Sequence, residues 1–291
     1  MTILQLKNHF KSELSEWYSE SESAFLYSVF VEKIVGFSTY LQRKFMHQEL
    51  LVSDEEQLKT ILAELKTGKP YQHISGETEF YGMKFFVNEN VLIPRPETEE
   101  LIEFSIRKIQ DLKFKVSSSN LKPKTLNVKL LDIGTGSGII PIVLKKHFPE
   151  AEISAIDISE KALERAKKNA EFHQTEIRFL LMDFLNEPPD EKFDIIISNP
   201  PYIGIDEKEE ISDSVKNFEP ENALFSPVQD TLIFYRRIAE YASEHLTENG
   251  VIFLEINQKL GKETAELFQN FSESRLLQDI SGNDRIVFAV K

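Results

Sequence analysis

The sequence predicts an α/β protein with a mostly parallel, seven-stranded sheet, preceded by a small helical domain. Three observations carry this expectation. From Val128 onward, short apolar runs alternate with stretches of helical period, the pattern of βαβ units. The last two strand candidates are joined only by Ser281-Gly282-Asn283-Asp284. That link is too short for a crossover helix, so the two form a hairpin and one strand near the sheet edge runs antiparallel. The first 68 or so residues read as helical.

Composition bounds the rest. At about 150 residues per domain, 291 residues suggest two domains. Hydrophobic residues make up 41% of the chain, too many for an intrinsically disordered chain. There is no cysteine, which removes disulfide scaffolds, thiolate metal sites and cysteine nucleophiles together. The six histidines show no paired ligand spacing, so no metal site is expected. Lys and Arg number 34 against 48 Asp and Glu, a net charge of −14. An acidic chain is poorly matched to phosphate backbones, so stable nucleic-acid binding is not expected. No apolar run reaches the length of a membrane span, and the opening residues lack a signal-peptide apolar core. The expected compartment is the cytoplasm.

Along the chain, Ser53-Asp54-Glu55-Glu56 has the form of a capping box with Ser53 as N-cap. Leu58, Ile61, Leu62 and Leu65 follow on one helical face, and Gly68 and Pro70 stop that helix. Leu4–Phe10, Leu14–Tyr18 and Phe25–Phe37 are expected to supply two or three further short helices. Glu79–Gly82 and Lys84–Val87 predict a hairpin around Gly82. Val91–Pro96 is extended because each proline biases its predecessor away from helix, and Glu97–Ile109 is helical. Ser117 to Lys124 is a polar loop. Strands are expected at Lys129–Ile133, Glu152–Ile156, Ile177–Leu181, Phe193–Ser198, Val251–Ile256, Leu276–Ile280 and Arg285–Val290. Helices are expected at Ile139–Phe148 and, capped by Ser159, up to His173. The domain boundaries that follow are 1–75 for the helical part, 76–96 for a hairpin linker and 97–291 for the α/β domain.

Two motifs carry chemistry. Leu130-Leu131-Asp132-Ile133-Gly134-Thr135-Gly136-Ser137-Gly138 ends a strand and opens a helix, where glycines let backbone approach a ligand closely. Asp157 ends the next strand, 19 residues after Gly138, in the place of a carboxylate that accepts ribose hydroxyls. The spacing Asp-x-Gly-x-Gly-x-Gly differs from G-x-G-x-x-G and resembles the S-adenosylmethionine loop of Rossmann-like methyltransferases. Asp183 and Phe184 then suit an adenine, the first toward its amine and the second against a ring face.

The second motif is Asn199-Pro200-Pro201-Tyr202, delivered by the strand Phe193–Ser198. In a doubly wound sheet this strand and the one before the glycine loop are neighbours, and ligands bind beyond their C-terminal ends. A planar amide or aromatic amine is a poor nucleophile because its lone pair is conjugated. The Asn199 side-chain oxygen and the Pro200 carbonyl can hold its two N–H groups and aim the lone pair at a methyl carbon, a contribution of orientation. Tyr202 can stack on the planar group. The motif serves exocyclic amines of nucleobases and the glutamine amide of proteins alike.

Further segments occur in order: Gly68-Lys69-Pro70-Tyr71-Gln72-His73-Ile74-Ser75-Gly76, Leu92-Ile93-Pro94-Arg95-Pro96-Glu97-Thr98-Glu99, Phe218-Glu219-Pro220 with Ala223-Leu224, and Gly282-Asn283-Asp284-Arg285. With the two motifs, they closely resemble the PrmC/HemK family, the peptide chain release factor glutamine methyltransferases. The resemblance implies a Rossmann-like class I methyltransferase domain. It implies methyl transfer from S-adenosylmethionine, leaving S-adenosylhomocysteine, to the glutamine of the Gly-Gly-Gln loop of class I release factors. Gly134, Thr135, Gly136, Ser137, Gly138, Asp157, Asp183, Phe184 and Asn199 would contact the cofactor. Asn199, Pro200, Pro201 and Tyr202 would hold the glutamine, with Asn199, Pro200 and Tyr202 catalytic. The helical module would grip the release factor, and Arg95 and Glu97 would shape the site mouth. Two segments depart from the family pattern: Phe225–Thr231 replaces a glycine-rich stretch, and Asn257 stands where a glycine is usual. The main rival is a nucleic-acid adenine or guanine amino-methyltransferase; a non-catalytic adaptor and a NAD-linked oxidoreductase stand further off.

Overall fold

The computed structural model describes residues 1–117 and 128–291. Apart from Ser117, the polar stretch expected up to Lys124 lies outside the described residues. The chain divides into two compact units, Met1–Glu77 with Ser212–Phe218, and Thr78–Ile211 with Glu219–Lys291.

The smaller unit holds α1 (Ile3–Leu14), α2 (Glu20–Val35), α3 (Thr39–Lys44), α4 (Val52–Leu65) and α5 (Tyr71–Ser75). Capping boxes at Thr2/Gln5 and Ser19/Glu22 open the first two helices, satisfying otherwise orphaned N–H groups. Their apolar faces meet that of α4 in a core that includes Phe10, Leu14, Phe30, Leu58, Leu62 and Leu65. Leu14–Tyr18 is not a separate helix; Leu14 ends α1 and Tyr18 follows in a turn. The expected capping box at Ser53 does not form either. The N-cap is Leu51, without a side-chain bond, and the Ser53 hydroxyl bonds Asp54 instead. The cause is tertiary: Leu50 N–H bonds Met1 O and the Met1 ammonium pairs with Glu55, so the helix entry is set by the chain start.

In the larger unit, β1 (Glu77–Phe80) and β2 (Met83–Phe86) form the expected hairpin. Its two turn residues, Tyr81 and Gly82, have φ of 52° and 66°, the positive pair that matches strand twist in a tight hairpin. Phe80 and Phe85 are buried in the main core, so this segment is part of the α/β unit rather than a bare linker. α6 (Pro96–Ser117) starts with proline at its first position, which needs no N–H there. The sheet strands are β3 (Lys129–Ile133), β4 (Glu152–Asp157), β5 (Arg178–Leu181), β6 (Phe193–Ser198), β7 (Leu246–Glu255), β8 (Glu273–Gln278) and β9 (Asp284–Val290). They lie in the order β5-β4-β3-β6-β7-β9-β8. Only β9 is reversed, antiparallel to β7 and β8. The connecting helices are α7 (Ile139–His147), α8 (Glu160–Phe172), α9 (Asp213–Phe218, grouped with the smaller unit), α10 (Glu221–Leu224), α11 (Ile233–His245) and α12 (Gly261–Glu266).

Both sheet faces are covered, which explains the unbroken apolar runs. Ile195 and Ile197 of β6 point into one core with Phe253 and Phe288, while Ile196 points into the other with Leu254 and Val287. The second core is closed by Tyr235, Ile238, Tyr241 and Ala242 of α11. The sequence expectation contains no helix here, although these buried residues recur at helical spacing. β7 starts five residues before its expected Val251, and the register shifts between Phe193 and Ile195 where it joins β6.

Asn169 of α8 is fully buried and joins three elements. Its Nδ2 donates to Phe86 O at 3.0 Å and Ser137 O at 2.8 Å, and its Oδ1 accepts from Phe86 N at 2.7 Å. Asn169→Ala leaves buried backbone groups of β2 and of the glycine loop unpaired. It should lower stability by about 1–3 kcal/mol, read from urea unfolding.

Candidate functional site

The chain order reverses between β3 and β6, so a crevice opens beyond their C-terminal ends. Ile133 pairs with Ser198, and the Ser198 hydroxyl donates to Ile133 O at 2.7 Å. The glycine loop and the Asn199 turn therefore leave the sheet side by side. A cleft of about 900 Å³ lies there, lined by Gly134, Gly136, Asp157, Asp183, Phe184, Asn199 and Pro201, among others.

Gly138 caps α7 in the left-handed region at φ 80°. A Cβ there would stand 3.0 Å from that of Ala166, so the loop needs glycine for both conformation and space. Asp157 Oδ2 accepts from Gly136 N at 2.8 Å and its Oδ1 from Ser159 N at 2.8 Å. The loop is thus tied to the end of β4. Burial raises the Asp157 carboxyl, against those N–H groups, which lower it. Asp183 accepts from Leu185 N at 3.1 Å and from Asn186 Nδ2 at 2.7 Å. Phe184 is buried in the second core, edge-on to Tyr241, so it is a wall of the cleft rather than a free ring face.

Asp132 is fully buried beneath the loop. Burial pushes its carboxyl up to about 7; the Thr135 hydroxyl lowers it and Asp157 raises it. Thr135 is the neighbour whose hydroxyl favours the charged form, but neither Asp132 oxygen nor the Thr135 hydroxyl makes a hydrogen bond of full geometry. A buried carboxylate short of hydrogen bonds is costly, which makes Asp132 a candidate functional group.

Within the tetrapeptide, Asn199 and Pro201 line the cleft, Pro200 is buried, and Tyr202 is partly buried. Asn199 Nδ2 donates to Thr98 Oγ1 at 3.1 Å. Thr98 in turn donates to Glu255 Oε2 at 2.7 Å, and Tyr202 OH donates to Glu255 Oε1 at 3.3 Å. Glu255 is fully buried and lifted to about 7 by burial, while Thr98 and the Arg285 charge lower it. Sequence reasoning missed Thr98 and Glu255; a glutamate ending an otherwise apolar strand beside the tetrapeptide strand was the available signal.

The mouth segment is tied down by Glu219, whose carboxylate accepts from Ile93 N at 3.0 Å and from Arg95 at 2.6 Å. Arg95 therefore braces the extended Ile93–Pro96 segment. Both departures have structural work. Asn257 donates to Tyr202 O at 3.2 Å and Glu207 Oε1 at 3.0 Å. Phe225, Ser226, Pro227 and Val228 line the cleft, and Asp230 closes that stretch by pairing with Arg236 at 2.9 Å. Among the described residues no helix is long and apolar enough to cross a membrane, and no cluster of His, Asp and Glu is arranged to hold a metal ion.

The methyltransferase small domain family matches residues 107–218. A release factor glutamine methyltransferase of Flavobacterium psychrophilum is 45% identical over 278 residues, covering 90% of this chain and 94% of its own. A protein of the same name from Streptococcus pneumoniae is 39% identical over 292 residues, covering 99% of this chain and 98% of its own. Among solved structures, the hMettl16 catalytic domain in complex with MAT2A 3'UTR hairpin 6 matches with a TM-score of 0.51 at 18% identity, over 72% of this chain and 76% of that one. At that identity the likeness is one of fold.

Asp132 ionises at its ordinary 3.8 when unfolded and at about 7 when folded. A raised folded value means the native state binds the proton more tightly. The stability this adds is fully present below the unfolded value and is lost as pH rises through the folded one. The ligand-free protein should lose stability between about pH 4 and about pH 8, and Asp132→Asn should flatten that slope, Glu255 supplying part of what remains. Thermal unfolding across the range measures it; an unchanged slope in the variant refutes the assignment.

Proposed function

The chain belongs to the release factor glutamine methyltransferase family, and we propose that it methylates the side-chain amide nitrogen of the glutamine in the Gly-Gly-Gln loop of class I peptide chain release factors. The observation that carries this reading is the placing of Asn199 at the end of β6, in the same cleft as the glycine loop that ends the adjoining β3.

The residues present fit S-adenosylmethionine. The Asp132 carboxyl, buried beneath the glycine loop without a full hydrogen bond, suits a cationic amine; Asp157 at its strand end suits ribose hydroxyls, and Asp183 lines the same cleft as Asp157. Gly134, Thr135, Gly136, Ser137 and Gly138 would bring backbone close to the ligand, and Phe184 would back it. Bound S-adenosylmethionine supplies a methyl carbon activated by a sulfonium. The chain's own work is orientation. Asn199 Oδ1 and the Pro200 carbonyl accept the two amide N–H groups of the substrate, which aims its lone pair. Pro201 stiffens the turn, and Tyr202, hooked by its hydroxyl to Glu255, flanks the planar group. No strong base is needed before transfer, because the proton can leave the nitrogen afterwards. Holding two reactants in line removes orientational entropy from the barrier.

The helical unit, expected over 1–75, would recognise the release factor, with the transferase domain from 97 on. Exposed Trp17, Phe25, Leu51 and Val52 offer it apolar contact area. The working compartment would be the cytoplasm, where its substrate is made.

The test is transfer of labelled methyl to a purified class I release factor, with its Gly-Gly-Ala variant as control and duplex DNA and ribosomal RNA as competing acceptors. Label in the release factor alone supports the reading; label in nucleic acid instead overturns it. In the same assay Asn199→Ala should lose at least ~10²-fold in turnover, with far less change in cofactor affinity, because orientation is what it supplies. Near-normal turnover would remove the mechanism.

A further inference from the structure

We propose that Thr98 and Glu255 are positioning residues that fix which end of the Asn199 side-chain amide faces the substrate. The inference rests on the glutamine-methylating reading for its functional consequence and on the hydrogen bonds alone for its geometry.

Three elements meet at this point. Thr98 stands in the first turn of α6, Asn199 follows the last residue of β6, and Glu255 is the last residue of β7. Ser198 pairs with Leu254, so Asn199 and Glu255 follow on neighbouring strands. Thr98 is 2% and Glu255 1% exposed, so water does not replace their bonds. The direction of the chain is set from the carboxylate outward. Burial lifts the Glu255 carboxyl to about 7, against the Thr98 hydroxyl and the Arg285 charge, which lower it; in its ionised form it only accepts. Its Oε2 takes the Thr98 hydrogen at 2.7 Å. The Tyr202 hydroxyl occupies Oε1 at 3.3 Å, and the Glu255 main-chain oxygen accepts from Tyr235 at 3.2 Å. With its one hydrogen committed, the Thr98 oxygen can only accept, and it accepts from Asn199 Nδ2 at 3.1 Å.

An asparagine amide is nearly symmetric in shape, so packing alone does not distinguish its two ends. The Thr98 oxygen does. Turned over, the amide would set Asn199 Oδ1 against a lone pair with no hydrogen between them, and Nδ2 would face the cleft. A donor there repels the N–H groups of a substrate amide instead of accepting them. Glu255 thus selects the acceptor end through Thr98, without touching the substrate. The same carboxylate accepts from Tyr202, so Asn199 and Tyr202 are both held from one buried group.

Thr98→Val keeps the side-chain shape and removes the hydroxyl. Its kcat should fall roughly tenfold, the order for one lost hydrogen bond in a charge-assisted chain. KM for the release factor and the cofactor dissociation constant should stay within about twofold. Thr98→Ser, which keeps the hydroxyl, should recover most of the rate. Glu255→Gln, whose amide can donate to Thr98 as well as accept, should resemble Thr98→Val. A second readout needs no substrate. The Asn199 side-chain NH2 signal, assigned by its loss in Asn199→Ala, should exchange with solvent slowly in the natural protein and at least about tenfold faster in Thr98→Val and Glu255→Gln. Unchanged exchange in both variants overturns the inference. So does a serine variant as impaired as the valine one. If the natural protein transfers no methyl to the release factor, the functional reading falls, while the exchange measurement still decides the positioning role.

Discussion

The site depends on one pairing, the parallel register of β3 with β6 that sets Ile133 opposite Ser198. The glycine loop and the Asn199 turn are released by these two strands, while Asp157 ends β4 and Asp183 follows β5 in the same cleft. The register is held from both sides, because successive residues of β6 point into different cores. A slip of one residue would exchange the two faces of the strand. Each large apolar side chain involved contributes about 1.5–3 kcal/mol by burial, so the pairing rests on many contacts rather than on the Ser198 hydroxyl bond alone. That margin lets the loops beyond it hold groups that are unfavourable in isolation.

Those groups are carboxylates. Asp132, Asp157 and Glu255 are buried or nearly so, and burial raises all three. A core built for stability alone would not keep them. Each has a different arrangement. Asp157 is satisfied by two backbone N–H groups, and so becomes the tie between the glycine loop and β4. Glu255 is satisfied by two hydroxyls, which makes it the root of a directed hydrogen-bond chain. Asp132 has no hydrogen bond of full geometry to a protein group.

The segments that depart from the family pattern follow the same logic. Asn257 uses its amide to hold the Tyr202 carbonyl and Glu207 together, work that a glycine has no side chain to do. The Phe225–Thr231 stretch is shaped by Asp230, which accepts from Leu232 N and pairs with Arg236.

Much of the fold and the two motifs was legible in the residues. β3 and β6 have the bounds read from their apolar runs, and Ser159 caps α8 as its chemistry suggests. The glycine loop and the Asn-Pro-Pro-Tyr turn were legible because their demands are local: close backbone approach, left-handed φ, a rigid bend. The Ser53 cap failed because a distant chain start sets that helix entry, and α11 was passed over because its polar residues mask its face. The sequence by itself determined that the glycine loop and the Asn-Pro-Pro-Tyr turn stand at the ends of β3 and β6. Only the tertiary structure decided how they are held, since Thr98, Asn199 and Glu255 meet across separations of 101 and 157 residues. Hydrogen-bond direction is set by three-dimensional neighbours, and no spacing along the chain encodes it.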